Sequence, residues 1–146
     1  MRVVLDAVIV VRGLINPFGV CGQIVFDRAN EYRHVVSPSI VAEYLEVIRR
    51  PALVRKYRSI DTRDPHAILA RLAQAEIIEL DAVPAVSRDP KDDPFLETAI
   101  AGAVDYLVSE YRDSLDLGSH EGIPSVTGAK FLAILDSRNT TPSPVR

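Results

Sequence analysis

The chain has 146 residues, 47% hydrophobic and 25% charged, with a formal net charge of −3. That length makes one domain able to bury roughly two-thirds of its unfolded surface, so folding requires neither a disulfide nor a structural metal. The balance of charge excludes a globally basic nucleic-acid binder, and the single Cys21 excludes an intrachain disulfide or a cysteine-built zinc site and fits a reducing cytoplasm.

The first apolar stretch, Val3 to Val11, contains Asp6 and stops at Arg12. It is too short to span a bilayer and unlike the uncharged core of a signal peptide, so the expected location is the cytoplasm. Arg2 to Asp6 reads as a buried strand, Val8 to Ile15 as a short helix or a continuation, and Asn16-Pro17-Phe18-Gly19 as a turn. Gln23 to Glu31 carries apolar residues at helical spacing. His34 to Ser37 reads as a second strand, followed by a helix from Ser37-Pro38-Ser39 to about Arg50, with Pro38 tolerated in its first turn. Pro51 interrupts that helix, and Ala52 to Tyr57 continue it at a kink.

Asp64-Pro65 opens a helix through about Ala75 with Ile68, Leu69 and Leu72 on one face, and Ile77 to Leu80 form a short strand. Asp93 is placed to cap a helix over Phe95 to Val104. Tyr106 to Val108 and Pro124 to Thr127 are the last strands, and Ala129 to Leu135 the closing helix. The expected domain is 1–136, with a polar, disordered tail over 137–146. Strand and helix signals alternate, which is the pattern of a parallel α/β sheet.

Four acids sit where a strand ends or a helix begins: Asp6 after Val3-Val4-Leu5, Glu43 in a helix, Asp93 at the end of Asp89-Pro90-Lys91-Asp92-Asp93, and Asp113 after Tyr106 to Ser109. Ligands of open α/β sheets bind outside the carboxyl ends of the strands, so converging acids there would bind a divalent metal. Each acid also has an ordinary role. Asp6 and Asp93 make good helix caps, Glu43 beside Glu46 makes a solvated helix face, and Asp113 makes a surface-loop charge.

These residues together resemble the PIN-domain family. The resemblance is carried by Val3-Val4-Leu5-Asp6, Pro38 to Glu43, Asp89 to Leu96, Ala103 to Val108, and the closing Ile123 to Thr127 with Phe131-Leu132. It is greatest toward the bacterial and archaeal toxins of toxin-antitoxin pairs. It implies a three-layer α/β/α fold with a central parallel sheet and helices on both faces. It also implies a metal-dependent endoribonuclease holding Mg2+ or Mn2+ on Asp6, Glu43 and Asp93; Asp113, a candidate ligand from its place after a strand, is equally a surface-loop charge. The implied partners are an RNA substrate and a cognate antitoxin.

Two departures bear on activity. The first Asp is usually followed by Thr-Asn in the family, where this chain has Ala7-Val8, and a later Thr-Gly-Asp-x-Asp is here Ser109-Glu110-Tyr111-Arg112-Asp113. Tyr111 stands where an acid is expected, leaving Glu110 or Asp113 as partial replacements. The resulting expectation is weak metal binding. The alternative is a catalytically weak or inactive PIN fold that binds antitoxin or RNA.

A haloacid-dehalogenase-type phosphatase would need an acid at Val8, and a phospho-accepting receiver would need a paired acid and a Lys at a late strand end, where Lys130 instead enters the last helix. Among the basic residues, Arg12 lies one to two helical turns after Asp6 and is the first candidate for an RNA phosphate contact. Apolar helices such as Ile40 to Ile48 and Phe95 to Val104 exceed what one small sheet covers, which points to a homodimer.

Overall fold

A computed structural model describes residues 1–51, 70–80, 94–110, 119–120 and 122–140. Strand β1 (Arg2–Leu5) leads into helix α1 (Ala7–Ile15). A turn at 16–19 then gives a short α2 (Val20–Gly22), which continues as a π-helical stretch, Gln23–Asp27. After a single 3-10 turn come β2 (Arg33–Val36) and α3 (Pro38–Ile48). The remaining described elements are β3 (Glu76–Ile77), α4 (Pro94–Ala101), β4 (Tyr106–Val108), β5 (Ser119–His120), β6 (Ile123–Val126) and α5 (Gly128–Thr140).

The six strands form one sheet in the order β3-β2-β1-β4-β6-β5, parallel except for β5, which pairs antiparallel with β6. β1 is central, pairing with β2 through Val3↔His34 and with β4 through Val3↔Tyr106, Val4↔Leu107 and Leu5↔Val108. Val3, Val4 and Leu5 are fully buried, as a strand covered on both faces requires. α4 packs across β2, β1 and β4 and against α3, while α5 packs with α2 and brings Phe131 edge-on to Tyr32 at 5.3 Å. Helices thus cover both faces, giving the expected three-layer α/β/α fold.

Local chemistry explains the element starts. The Ser37 hydroxyl accepts from the Ile40 amide at 3.4 Å and Pro38 sits in the first turn of α3, where its missing N–H costs nothing. Ser37 also lies 2.8 Å from Thr98 Oγ1, and Thr98 donates to the Pro94 carbonyl at 2.7 Å. This buried pair joins the N-cap of α3 to the second turn of α4. Gly22 lets α2 fold onto the preceding turn, since a Cβ there would lie 2.2 Å from the Pro17 carbonyl oxygen.

Three expectations need correction. β3 pairs Val35↔Glu76 and Val36↔Ile77, so it begins one residue before the expected Ile77 and stops well short of Leu80. α4 ends at Ala101 and not at Val104, because the chain reverses through Gly102 and Ala103 to enter β4. α5 runs to Thr140, so 137–140, assigned to a disordered tail, are helical, and 141–146 lie outside the described residues. The expected continuation over Ala52 to Tyr57 and the start of the helix at Asp64 also lie outside them, although 70–73 are helical.

Ala103 carries the described non-glycine positive φ, 46°, where α4 ends. A left-handed conformation costs an L-residue with a Cβ roughly 1–2 kcal/mol, and glycine avoids that cost. Ala103→Gly is therefore expected to raise stability by about 0.5–1 kcal/mol in urea denaturation, allowing for glycine's greater unfolded-state entropy.

Candidate active site

The strand order reverses between β1 and β4: from β1 the chain builds outward through β2 and β3, then returns to β1's other edge with β4. Such a switch point leaves a crevice outside the carboxyl ends of the two strands. Asp6 is the residue after β1, and Ser109 the residue after β4. Asp6 is only 2% exposed. Its Oδ2 accepts from Ser109 Oγ at 2.8 Å and its Oδ1 from the Val8 amide at 3.4 Å, so one carboxylate caps α1 and bridges to β4. The positive end of α1 favours the negative charge there.

Glu43 is half-buried on α3, beside the fully buried Tyr44. The Tyr44 hydroxyl donates to the Leu5 carbonyl at 2.5 Å, fastening the helix that carries Glu43 to the strand end that carries Asp6. Asp93 and Asp113, with Asp89, Asp92 and Tyr111, lie outside the described residues. Among the described residues, no group of three or more His, Cys, Asp or Glu side chains is arranged to hold a metal ion. The two described carboxylates are the oxygen donors a hard divalent cation takes, so their chemistry fits such an ion, and a third ligand would have to come from another segment.

Glu110, read from sequence as a partial replacement for the acid missing at Tyr111, is engaged elsewhere. Its Oε1 accepts from the Gly128 amide at 2.9 Å, at the start of α5, and its Oε2 lies 3.9 Å from Arg12 Nη1. The phosphate-contact candidate Arg12 thus faces a carboxylate, yet its side chain remains 59% exposed. Both border a groove of about 440 Å3 that includes Ile15, Val20 and Cys21. Burial pushes the Cys21 thiol up, Glu110 adds to the shift and Arg12 opposes it, which leaves Cys21 a weak nucleophile at neutral pH.

Sequence reasoning missed Ser109, Tyr44 and His34 as parts of the site. Ser109 carried a signal, a hydroxyl directly after the strand Tyr106 to Val108. Tyr44 and His34 carried none, because a tyrosine inside a helix and a histidine at the start of a strand have no spacing that marks a site. His34 is 2% exposed, with Nε2 3.1 Å from the Tyr44 hydroxyl. Burial first, and then the charge of Arg71, lower its pKa from 6.5 to about 3.

A model of the PIN domain matches residues 2–113. The chain belongs to the PIN-domain family. Among solved structures this PIN domain is similar to VapBC2 from Rickettsia felis bound to a DNA fragment from their promoter, with a TM-score of 0.54 at 14% identity, covering 87% of this chain and 98% of that one. At that identity the likeness establishes the fold alone. No curated protein matches the chain.

Two measurements check the polar network of this PIN domain. Ser109→Ala removes a donor from a buried carboxylate and is expected to cost about 1–3 kcal/mol in urea denaturation. For His34 the folded-state pKa lies below the unfolded value of 6.5, so the neutral ring contributes its full stability above pH 6.5 and loses it as pH falls toward about 3. The expected loss is up to about 1.4 kcal/mol per pH unit in that window, and nuclear magnetic resonance should show a neutral His34 ring at pH 5.

Proposed function

We propose that this PIN domain is a metal-dependent endoribonuclease, the toxin of a toxin-antitoxin pair, hydrolysing RNA phosphodiesters in the cytoplasm. The observation that carries the reading is Asp6: a buried carboxylate at the switch point of a parallel sheet, oriented by Ser109 and the Val8 amide. Its proposed co-ligands are Glu43, Asp93 and Asp113. A bound Mg2+ or Mn2+ supplies activation of water and neutralisation of charge on the phosphodiester. The protein's part is to hold the carboxylates in place and to admit the RNA backbone, for which exposed Arg12 at the groove edge is the proposed phosphate contact.

Membership of the PIN-domain family and the likeness to VapBC2 support an antitoxin as the protein partner. A homodimer belongs to the same reading, and Phe18 at 88% and Val20 at 41% exposure provide apolar surface for association.

The second reading, a weak or inactive PIN fold that binds antitoxin or RNA, is favoured by one observation. Glu110 is already committed to Gly128 and Arg12, so it does not supply the acid replaced by Tyr111. Fewer carboxylates attract a divalent ion less strongly.

Calorimetric titration with MnCl2 and MgCl2, run beside an RNA cleavage assay, separates the readings. The nuclease reading expects Mn2+-dependent cleavage that falls roughly a hundredfold or more in Asp6→Asn, beyond the 10–100-fold typical of losing an outer-shell partner. Neither heat nor cleavage from the wild type, with RNA or antitoxin binding intact, would establish the second reading.

A further inference from the structure

The Leu5–Asp6 peptide unit is gripped on both edges. On one edge the Asp6 N–H donates to the Val108 carbonyl at 2.9 Å, continuing the ladder with β4. On the other edge, registered pairing between β1 and β2 stops at Val3↔His34, so the Leu5 carbonyl lies beyond it, and the Tyr44 hydroxyl reaches in from α3 to donate to that oxygen at 2.5 Å. Because a peptide unit is planar, holding its C=O and its N–H sets the orientation from which the Asp6 side chain departs.

Counting protons directs the rest of the network. A phenol has one proton, and that of Tyr44 goes to Leu5. The contact at 3.1 Å to His34 Nε2 must therefore be donated by the imidazole, which fixes the Nε2–H tautomer. The bonds run in one direction, from His34 on β2 through Tyr44 on α3 to the end of β1. The Tyr44 ring packs against Phe95 at 5.8 Å, in the first turn of α4, and its hydroxyl feels the charge of Asp6. Glu43 is the adjacent residue on the same helix.

We propose that Tyr44, held by His34, is the positioning residue of this site: it orients the Leu5–Asp6 peptide and thereby sets the spacing between the carboxylates of Asp6 and Glu43. This inference rests on the metal-site reading above, to which it adds the residue that spaces the ligands. Tyr44 touches neither metal nor RNA in this role. It acts through the backbone beneath Asp6.

The test compares the wild-type chain with Tyr44→Phe and with a control, Ile40→Val. Ile40 is fully buried on the same helix, so its shortening loosens the core without touching the Leu5 carbonyl. Both variants should unfold at a lower temperature. Mn2+ affinity by calorimetry should fall about tenfold or more in Tyr44→Phe, as when an outer-shell partner is lost, and stay at the wild-type value in Ile40→Val. Equal affinities in the two variants would reduce Tyr44 to a packing residue and overturn the inference.

If the wild type takes up no Mn2+, the nuclease reading fails, and crystal structures decide the inference separately. A changed Asp6-to-Glu43 separation in Tyr44→Phe, with none in Ile40→Val, sustains the spacing role. An unchanged separation ends it.

Discussion

A carboxylate persists at the buried end of a strand only where donors meet its oxygens, because an unpaired charge out of water is costly. Asp6 satisfies that constraint from two directions, with Ser109 beyond β4 and the Val8 amide in α1. Both donors are in place only if β1 pairs with β4 and α1 starts at once after β1. The central strand pairing, the helix start and the chemistry of the crevice are therefore one arrangement, and a register slip in β1 would break all three.

The same logic organises the neighbouring buried polar groups. Ser37 and Thr98 share a hydrogen bond where α3 begins beside α4, and Tyr44 links α3 to the end of β1. Buried hydroxyls with directed partners rigidify more than apolar contacts do, since each has few acceptable geometries. They cluster where the carboxyl ends of β1 and β2 meet the helices. Farther out, Arg28 ties Glu31 to Asp136 on α5, and Arg2 pairs with Glu76 at 2.7 Å, partly buried links at the periphery. Glu110 belongs to this second kind. It secures the start of α5 and faces Arg12.

Most of the architecture was legible in the amino-acid order. Apolar runs of strand length at Val3-Val4-Leu5 and Tyr106 to Val108, the Ser37-Pro38 helix start, and the alternation of periods led to a parallel α/β sheet, as found. The order of motifs around Asp6, Pro38 to Glu43 and Asp89 to Leu96 pointed to the PIN-domain family. Local pattern fell short where partners decide. The short antiparallel β5 was not foreseen, since two residues, Ser119–His120, carry too little periodicity to announce themselves, and β3 takes its bounds from Val35 and Val36 across the sheet.

The residue types of the site were likewise written in the chain, but their engagements were not. Sequence by itself determined that acids follow strands, since that depends only on neighbours along the backbone. Tertiary structure decided that Asp6 meets Ser109, that Glu110 turns to Gly128 and Arg12, and that Tyr44 and His34 carry a directed chain of hydrogen bonds. Those outcomes rest on pairs separated by anywhere from ten residues to more than a hundred. No local propensity encodes such pairs, because they exist only once the sheet has set its strands side by side.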